Sequence, residues 1–394
     1  MSDAAERHAA FTARLRDSGV AEPIGDAFAR LPRHLFLPGV PLDVAYADDA
    51  VVTHDEGGIP TSSSTQPSLL ARMVGMLDVA PGAAVLEIGA GTGYNAAVLA
   101  ALGAAVTTVE LQPEVAAAAT AHLRSAGVDV VERATPGAVR VVTGDGSNPP
   151  PGPYDRVIMT AGCWSLPAPL VGALGADGIL VAPLRINGVE LVYALRRDGD
   201  ELRGEGGLPC GFMPLRGGED RPWRWALGAG GTATADADLG DEGRGALDRL
   251  LAMPGRPIED PLALRAGEYA MDALLWLGLR GDPLITLTRA GPGERPSSTV
   301  ALVVFPASML VAGMGPRFGD VSDVVLHGGE GALRACVAAM DAWRAAGAPG
   351  PATLELTVSR SHDRTGWSLP YPGVDGSATM TRGGHRWTLR YRDT

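Results

Sequence analysis

Four groups of residues in this chain could do chemistry together. The stretch Ala84–Ala97, AVLEIGAGTGYNAA, ends an apolar run in an acid, Glu87, and continues through Gly89, Gly91 and Gly93. Glycines at that spacing make a turn that lets backbone approach a nucleotide-like ligand, ahead of a helix N-terminus. A second acid, Glu110, closes the next apolar run, AVTTVE. In doubly wound folds a carboxylate about 20 residues past the glycine turn holds ribose hydroxyls. Asp145 lies between two glycines after a third run, VRVVT. Upstream, Ser62-Ser63-Ser64-Thr65 places four hydroxyls before Gln66-Pro67. Hydroxyls and backbone N–H groups can orient a carboxylate without protonating it. Read only as a polar loop, the same segment offers Thr65 or Ser68 as a helix cap.

The elements that must position these groups alternate. Strands are expected at the run from Ala84 that ends in Glu87 and at Ala105–Glu110, Val139–Thr143, Tyr154–Thr160 and Gly178–Pro183. Helix-compatible sequence separates them, including Pro113–Ala126 with proline in its first turn. Alternation of this kind argues an α/β fold, a doubly wound parallel sheet covered on both faces. Its ligand site lies outside the carboxyl ends of the strands, where Gly89–Gly93, Glu110 and Asp145 all fall. The spacing G-x-G-x-G also departs from the dinucleotide fingerprint G-x-G-x-x-G.

Length and charge bound the rest. At 394 residues the chain exceeds one ordinary domain. Residues 1–55 read as a helical lead-in, with helices at Glu6–Ser18 and Ile24–Leu31, and Tyr46–Pro67 as a polar loop. Residues 56–217 read as the sheet domain. Residues 218–394 read as an additional C-terminal α+β domain, in which the glycine-rich, acidic stretch Gly228–Gly245 reads as a linker or a long surface excursion. There, helices are expected at Leu247–Leu251, Leu262–Leu279 and Glu330–Ala346. Strands are expected at Leu284–Thr288, Val300–Phe305, Val321–His327, Ala352–Val358 and Arg386–Tyr391. Net charge is −12, and all 33 basic residues are arginine. No lysine can then act as base or Schiff-base nucleophile, and the acidic balance argues against nucleic acid. No apolar run reaches the roughly 20 residues that span a bilayer, and the polar N-terminus lacks a signal-peptide core, so a cytoplasmic protein is expected. Cys163, Cys210 and Cys336 are scattered without metal-ligand spacing, so no metal is expected and they read as reduced thiols. His54 reads as a solvated loop residue, and His327, His362 and His385 as isolated ones. Arg382, Arg386, Arg390 and Arg392 read as one solvated strand face, with an acidic-peptide surface as the alternative.

Taken with its neighbours, the glycine turn resembles motif I of S-adenosylmethionine (SAM)-dependent methyltransferases. The loop Thr65-Gln66-Pro67, with Ala71 and Met73 in register, resembles the active-site loop of protein-L-isoaspartate O-methyltransferases, with threonine where that family has serine. Arg33-His34-Leu35-Phe36-Leu37-Pro38 is similar to its R-x-x-F-x-P segment and Tyr46-Ala47-Asp48 to its Y-x-D. Gly144-Asp145-Gly146, Thr160-Ala161-Gly162 and Met213-Pro214-Leu215 resemble its later motifs, although Arg216 stands at a cofactor-neighbouring position. The resemblance covers about residues 28–217. It implies SAM as cofactor, held by Glu87, Gly89, Ala90, Gly91, Thr92, Gly93, Tyr94, Glu110, Leu111, Asp145, Gly146 and Thr160. It implies Thr65, Ser64 and Ser63 as the groups that meet the carboxylate being methylated, on a peptide or protein carrying aspartate or isoaspartate.

The S-S-S-T-Q-P wording plus some 175 further residues is similar to an actinobacterial branch acting on ribosomally made peptide natural products, such as lanthipeptides and graspetides. That resemblance implies methylation of an aspartate in a modified precursor peptide, leading to aspartimide or isoaspartate. The alternatives are a general isoaspartate repair enzyme with an accessory domain, and a catalytically quiet SAM-binding protein.

Overall fold

The computed structural model describes residues 2–57, 59–217, 222–236, 238–259, 264–265, 268–279, 284–289, 297–304, 307–314, 321–361 and 377–392. The chain divides into two compact units. One comprises Met1–Pro183, Val192–Leu202 and Gly211–Glu219, and the other Leu184–Leu191, Arg203–Cys210 and Asp220–Thr394.

The first unit opens with helix α1 (Asp3–Asp17). The Ser2 side chain accepts from the Ala5 N–H, acids fill its first turn and Arg14 and Arg16 its last, in line with the helix dipole. Helix α2 (Glu22–Arg30) carries Pro23 in its first turn and buries Phe28. A 3₁₀ turn, Arg33–Phe36, and the short α3 (Leu42–Ala45) follow. Aromatic rings connect this lead-in to the sheet domain: Phe28 meets Tyr94 edge-on at 5.7 Å between centroids, and Phe36 meets Tyr94 at 5.1 Å.

The expected polar loop Tyr46–Pro67 is instead a hairpin, β1 (Val51–Glu56) and β2 (Ile59–Ser64), paired antiparallel with Val51 opposite Ser64 and Val52 opposite Ser63. A strand reading Pro-Thr-Ser-Ser-Ser carries no apolar alternation, so only its partner strand reveals it. Helix α4 (Pro67–Leu77) then packs on the sheet.

The sheet is built from β3 (Ala84–Ile88), β4 (Ala105–Glu110), β5 (Val139–Thr143), β6 (Tyr154–Met159), β7 (Leu174–Ile186) and β8 (Val189–Asp198), in the order β8-β7-β6-β3-β4-β5. The pairs β3/β4, β3/β6, β4/β5 and β6/β7 are parallel. From their second residues onward β3 and β4 are buried on both faces, which is why they read as continuous apolar runs without alternation. Helix α5 (Tyr94–Ala101) is buried from Tyr94 to Ala100 and packs on β4 and β5. Helix α6 (Pro113–Ser125) also packs on β4 and β5, and α7 (Ala168–Ala173) precedes β7. The mixed α/β fold expected from the sequence is therefore the observed one. β7 begins earlier than the apolar run Gly178–Pro183 indicates.

In the second unit, an antiparallel sheet runs through Trp223–Ala226, Thr232–Ala235, Leu284–Arg289, Ser297–Val304, Ser308–Met314 and Val321–Gly328, ending at Arg256–Pro257. Helices Gly240–Ala252, Ala270–Leu279 and Gly331–Ala345 accompany it. The expected linker Gly228–Gly245 is in fact a strand and a helix start within this fold, because Ala233, Ala235 and Leu247 enter a core with Ile285, Leu287 and Met309. A second antiparallel group joins Leu354–Arg360, His385–Tyr391 and Ser377–Arg382. Leu262, Phe305 and His362 lie outside the described residues.

Among the described residues, no helix is long and apolar enough to cross a membrane.

Candidate active site

The carboxyl ends of β3, β4 and β6, the hairpin strand β2 and the segment Met213–Arg216 surround an open cleft. A concave site at the carboxyl ends of parallel strands is where α/β sheets take small-molecule ligands. Its lining includes Thr61–Thr65, Glu87, Gly89–Thr92, Tyr94, Glu110, Leu111, Gly146 and Thr160. Of the residues singled out in the sequence, Gly93 and Asp145 stand behind this wall rather than in it. Gly93 supplies the left-handed N-cap of α5, and Asp145 turns its carboxylate back to accept from the Ser147 N–H at 2.8 Å.

The glycine turn is shaped by what surrounds it. A Cβ on Gly91, at φ +52°, would stand 3.2 Å from the Ser63 carbonyl oxygen, so the hydroxyl segment lies directly against the turn. A Cβ on Gly89 would stand 2.7 Å from the Thr160 hydroxyl, which donates to the Gly89 and Ile88 carbonyls. Thr160 thus braces the turn from β6.

Glu110 holds the opposite side. Its carboxylate accepts from the Gly91 N–H at 3.1 Å and from the Gln112 N–H at 3.2 Å. Glu87 is fully buried and accepts from the Asn95 side-chain amide at 2.7 Å. Burial, with the Glu110 charge adding to it, pushes the Glu87 carboxyl up to about 7. The Thr108 hydroxyl beside Glu87 and the Asn95 amide both work against that rise. The Asn95 amide oxygen, buried in the same wall, has no hydrogen-bond partner among the described residues. A buried acceptor lining a cleft calls for a donor on the ligand. The ammonium and ribose hydroxyls of SAM are such donors, so the residues present fit that cofactor. Asn95 was not among the expected site residues. Its position one residue into the helix, on the turn after Glu87, was the available signal.

The hydroxyl candidates separate. Ser64 is buried, and its hydroxyl accepts from Arg33 at 3.4 Å. Ser63 and Thr65 make no side-chain hydrogen bond among the described residues, although both line the cleft. His54 is not the solvated loop residue expected, since its Nδ1 lies 2.7 Å from the Thr61 hydroxyl. His54, Glu56 and Glu114 bring ligand atoms within 4.8 Å of one another, with the Gln112 amide donating to Glu56 at 2.7 Å among them. Arg216 reaches the same cluster, pairing with Glu56 at 3.2 Å and donating to the Gln112 side chain.

Away from the cleft, the grouped C-terminal arginines also separate. Arg382 is buried and faces Asp236 at 3.6 Å, and Arg392 pairs with Glu205 at 2.9 Å. Arg386 and Arg390 are exposed without an ion pair among the described residues.

The family model described as protein-L-isoaspartate(D-aspartate) O-methyltransferase matches residues 6–220. The chain is 37% identical over 215 residues to the protein-L-isoaspartate O-methyltransferase of Roseiflexus castenholzii, covering 54% of this chain and 93% of that one. It is 36% identical over 215 residues to the like-named protein of Methanoregula boonei, again covering 54% and 93%. A solved structure of a protein-L-isoaspartate O-methyltransferase superposes with a TM-score of 0.51 at 22% identity, over 89% of this chain and 96% of that one. That likeness concerns the fold, and it extends well past residue 220.

Proposed function

The chain belongs to the protein-L-isoaspartate O-methyltransferase family, SAM-dependent carboxyl O-methyltransferases, and from that premise we propose that it methylates an aspartyl or isoaspartyl carboxylate of a peptide or protein in the cleft beside Gly91. The observation that carries this reading is the placement of two unengaged hydroxyls, on Ser63 and Thr65, in the same cleft as the glycine turn.

SAM, when bound, supplies an electrophilic methyl group. Glu110 would hold its ribose hydroxyls, and Glu87 with Asn95 its ammonium. The acceptor carboxylate is already an anion at neutral pH, so the residues around it need not remove a proton. Thr65 and Ser63 orient it through their hydroxyls, while Ser64 serves the loop from behind. Holding a nucleophile in line contributes roughly 7–11 kcal/mol to such a reaction. The absence of a strong base among the hydroxyl candidates is consistent with that chemistry.

General isoaspartyl carboxyl methylation is the reading we favour. The fold likeness over 89% of the chain supports it, since a region like the second unit also occurs in a structure of that name. The narrower reading, methylation of an aspartate in a modified precursor peptide en route to aspartimide or isoaspartate, rests on two observations. Thr65 adds a methyl beside the reacting carboxylate where the family has serine. The second unit also presents Arg386 and Arg390 exposed on one strand, a face suited to an acidic peptide.

Intact-mass measurement after incubation with SAM and two peptides, a generic isoaspartyl peptide and a cyclised precursor peptide, tests both. Addition of one methyl to the first supports the general reading, and addition to the second alone supports the narrower one. Methylation of neither overturns the proposal.

A further inference from the structure

Arg33 opens the 3₁₀ turn of the lead-in and is wholly buried. Its Nη1 donates to the carbonyls of Ala45 and Ala47 at 3.0 and 3.1 Å. Its Nη2 donates to the carbonyls of Asp49 and Thr65 at 3.0 and 3.1 Å, and to the Ser64 hydroxyl at 3.4 Å. Burial lowers its pKa from the usual arginine value, yet a guanidinium stays charged throughout the range in which proteins fold. A buried cation is costly unless paired, and here five neutral oxygens hold it in place of a carboxylate. Those oxygens come from two stretches distant in sequence, residues 45–49 and residues 64–65.

Asp48 makes the second tie between the same stretches. Its Oδ1 accepts from the Ser68 N–H at 2.8 Å, and its Oδ2 from the Gln66 side-chain amide at 3.1 Å. Ser68 lies in the first turn of α4, whose N-cap residue, Gln66, makes no side-chain cap of its own. Asp48 therefore satisfies an orphan donor of that helix from outside it. Thr65 is thus anchored on both sides, its carbonyl to Arg33 and the turn beyond it to Asp48. Its hydroxyl, which has no partner among the described residues, is left to the cleft.

We propose that Arg33 and Asp48 are positioning residues for methyl transfer, acting through Thr65. They set the backbone from Ser64 to Ser68, and so the place of the Thr65 hydroxyl that meets the substrate carboxylate. Neither lines the cleft itself. The fork of Arg33 suits this task because its two nitrogens grip separate carbonyls at fixed angles, which an ammonium cannot do. This inference rests on the reading of Thr65 given above.

The test uses the full chain, with the peptide turned over in the mass experiment, and four variants: Thr65→Val, Asp48→Ala, Arg33→Lys and the double variant Asp48→Ala/Thr65→Val. A residue that acts through the Thr65 hydroxyl costs no more than loss of that hydroxyl, about tenfold. Asp48→Ala should lose kcat up to about that factor while SAM Kd and peptide KM stay within about twofold. Arg33→Lys should lose a similar factor. Combined with Thr65→Val, Asp48→Ala should add little, because both remove the same contact and their effects do not sum. An Asp48→Ala enzyme with unchanged kcat, or one whose loss multiplies fully with that of Thr65→Val, overturns the positioning role. Asp48 is exposed, so this arm stands even if Arg33→Lys fails to fold. A fully active Thr65→Val single variant would instead defeat the reading of Thr65 itself, and the two failures are told apart by that variant alone.

Discussion

The backbone N–H of Gly91 donates to the carboxylate of Glu110 at 3.1 Å, joining the turn after β3 to the tip of β4. Two acids expected to serve the cofactor thus have different surroundings. Glu110 is held by two backbone N–H groups and presents its remaining lone pairs to the cleft. Glu87 is fully buried beneath the turn, beside the side chains of Asn95 and Thr108.

Glu110→Ala should weaken SAM binding by roughly 1.5–3 kcal/mol, the scale of a hydrogen bond to a charged group. Isothermal calorimetry on a folded variant checks this. Unchanged affinity would remove Glu110 from the ribose site.

Gly91→Val should abolish SAM binding. The position has φ +52°, which a β-branched residue resists, and its first side-chain atom would meet the Ser63 carbonyl at 3.2 Å. Retained binding with a normal circular dichroism spectrum would show that the turn tolerates more than this geometry allows.

Thr65→Val should leave SAM affinity nearly intact and lower methyl transfer about tenfold, corresponding to ~1.4 kcal/mol in the transition state. Thr65→Ser should retain activity and accept a wider range of peptides, because the added methyl is gone. Single-turnover rates separate these effects from binding.

Glu87 should make the ligand-free protein less stable as pH rises. Its carboxyl stands at about 7 against an ordinary value of 4.5, so the folded state favours the protonated form. Stability from this source is complete below about pH 4.5 and is lost as pH climbs through 7, amounting to roughly 3 kcal/mol by linkage. Thermal melts from pH 5 to 8 should show Glu87→Gln gaining on the parent chain as pH increases. Parallel curves for the two proteins would contradict the placement. A ligand ammonium favours the charged carboxylate, so SAM affinity should rise over the same interval.

Arg386→Glu with Arg390→Glu should reduce kcat/KM for an acidic peptide while leaving SAM binding unchanged. Both side chains are exposed on the outward positions of the strand His385–Tyr391, while Trp387 and Leu389 point into the core. The substitution therefore alters charge without touching packing. Equal turnover by the reversed protein would confine the second unit to a stabilising role.

The sequence by itself determined the central strands of the sheet: Ala105–Glu110 and Val139–Thr143 are observed at the expected residues, and the run from Ala84 to Glu87 is a strand that continues one residue further, to Ile88. Their signals are local. A strand buried on both faces must be apolar along its length, and a glycine turn must follow it if backbone is to reach a ligand. Glu110 was legible for the same reason, since the end of a strand fixes where its last side chain lies. Tertiary structure alone decided the rest. The polar segment from Val51 to Ser64 became a hairpin through pairing with itself, which no periodicity announces. Ser64 turned inward and Thr65 stayed free because Arg33, more than thirty positions earlier, needed buried acceptors. Arg382 was buried and Arg386 exposed because partner strands and Asp236 decide which positions of a chain end meet water. Composition cannot distinguish those positions. Only the chain returning on itself supplies the oxygen or the carboxylate that each arginine requires.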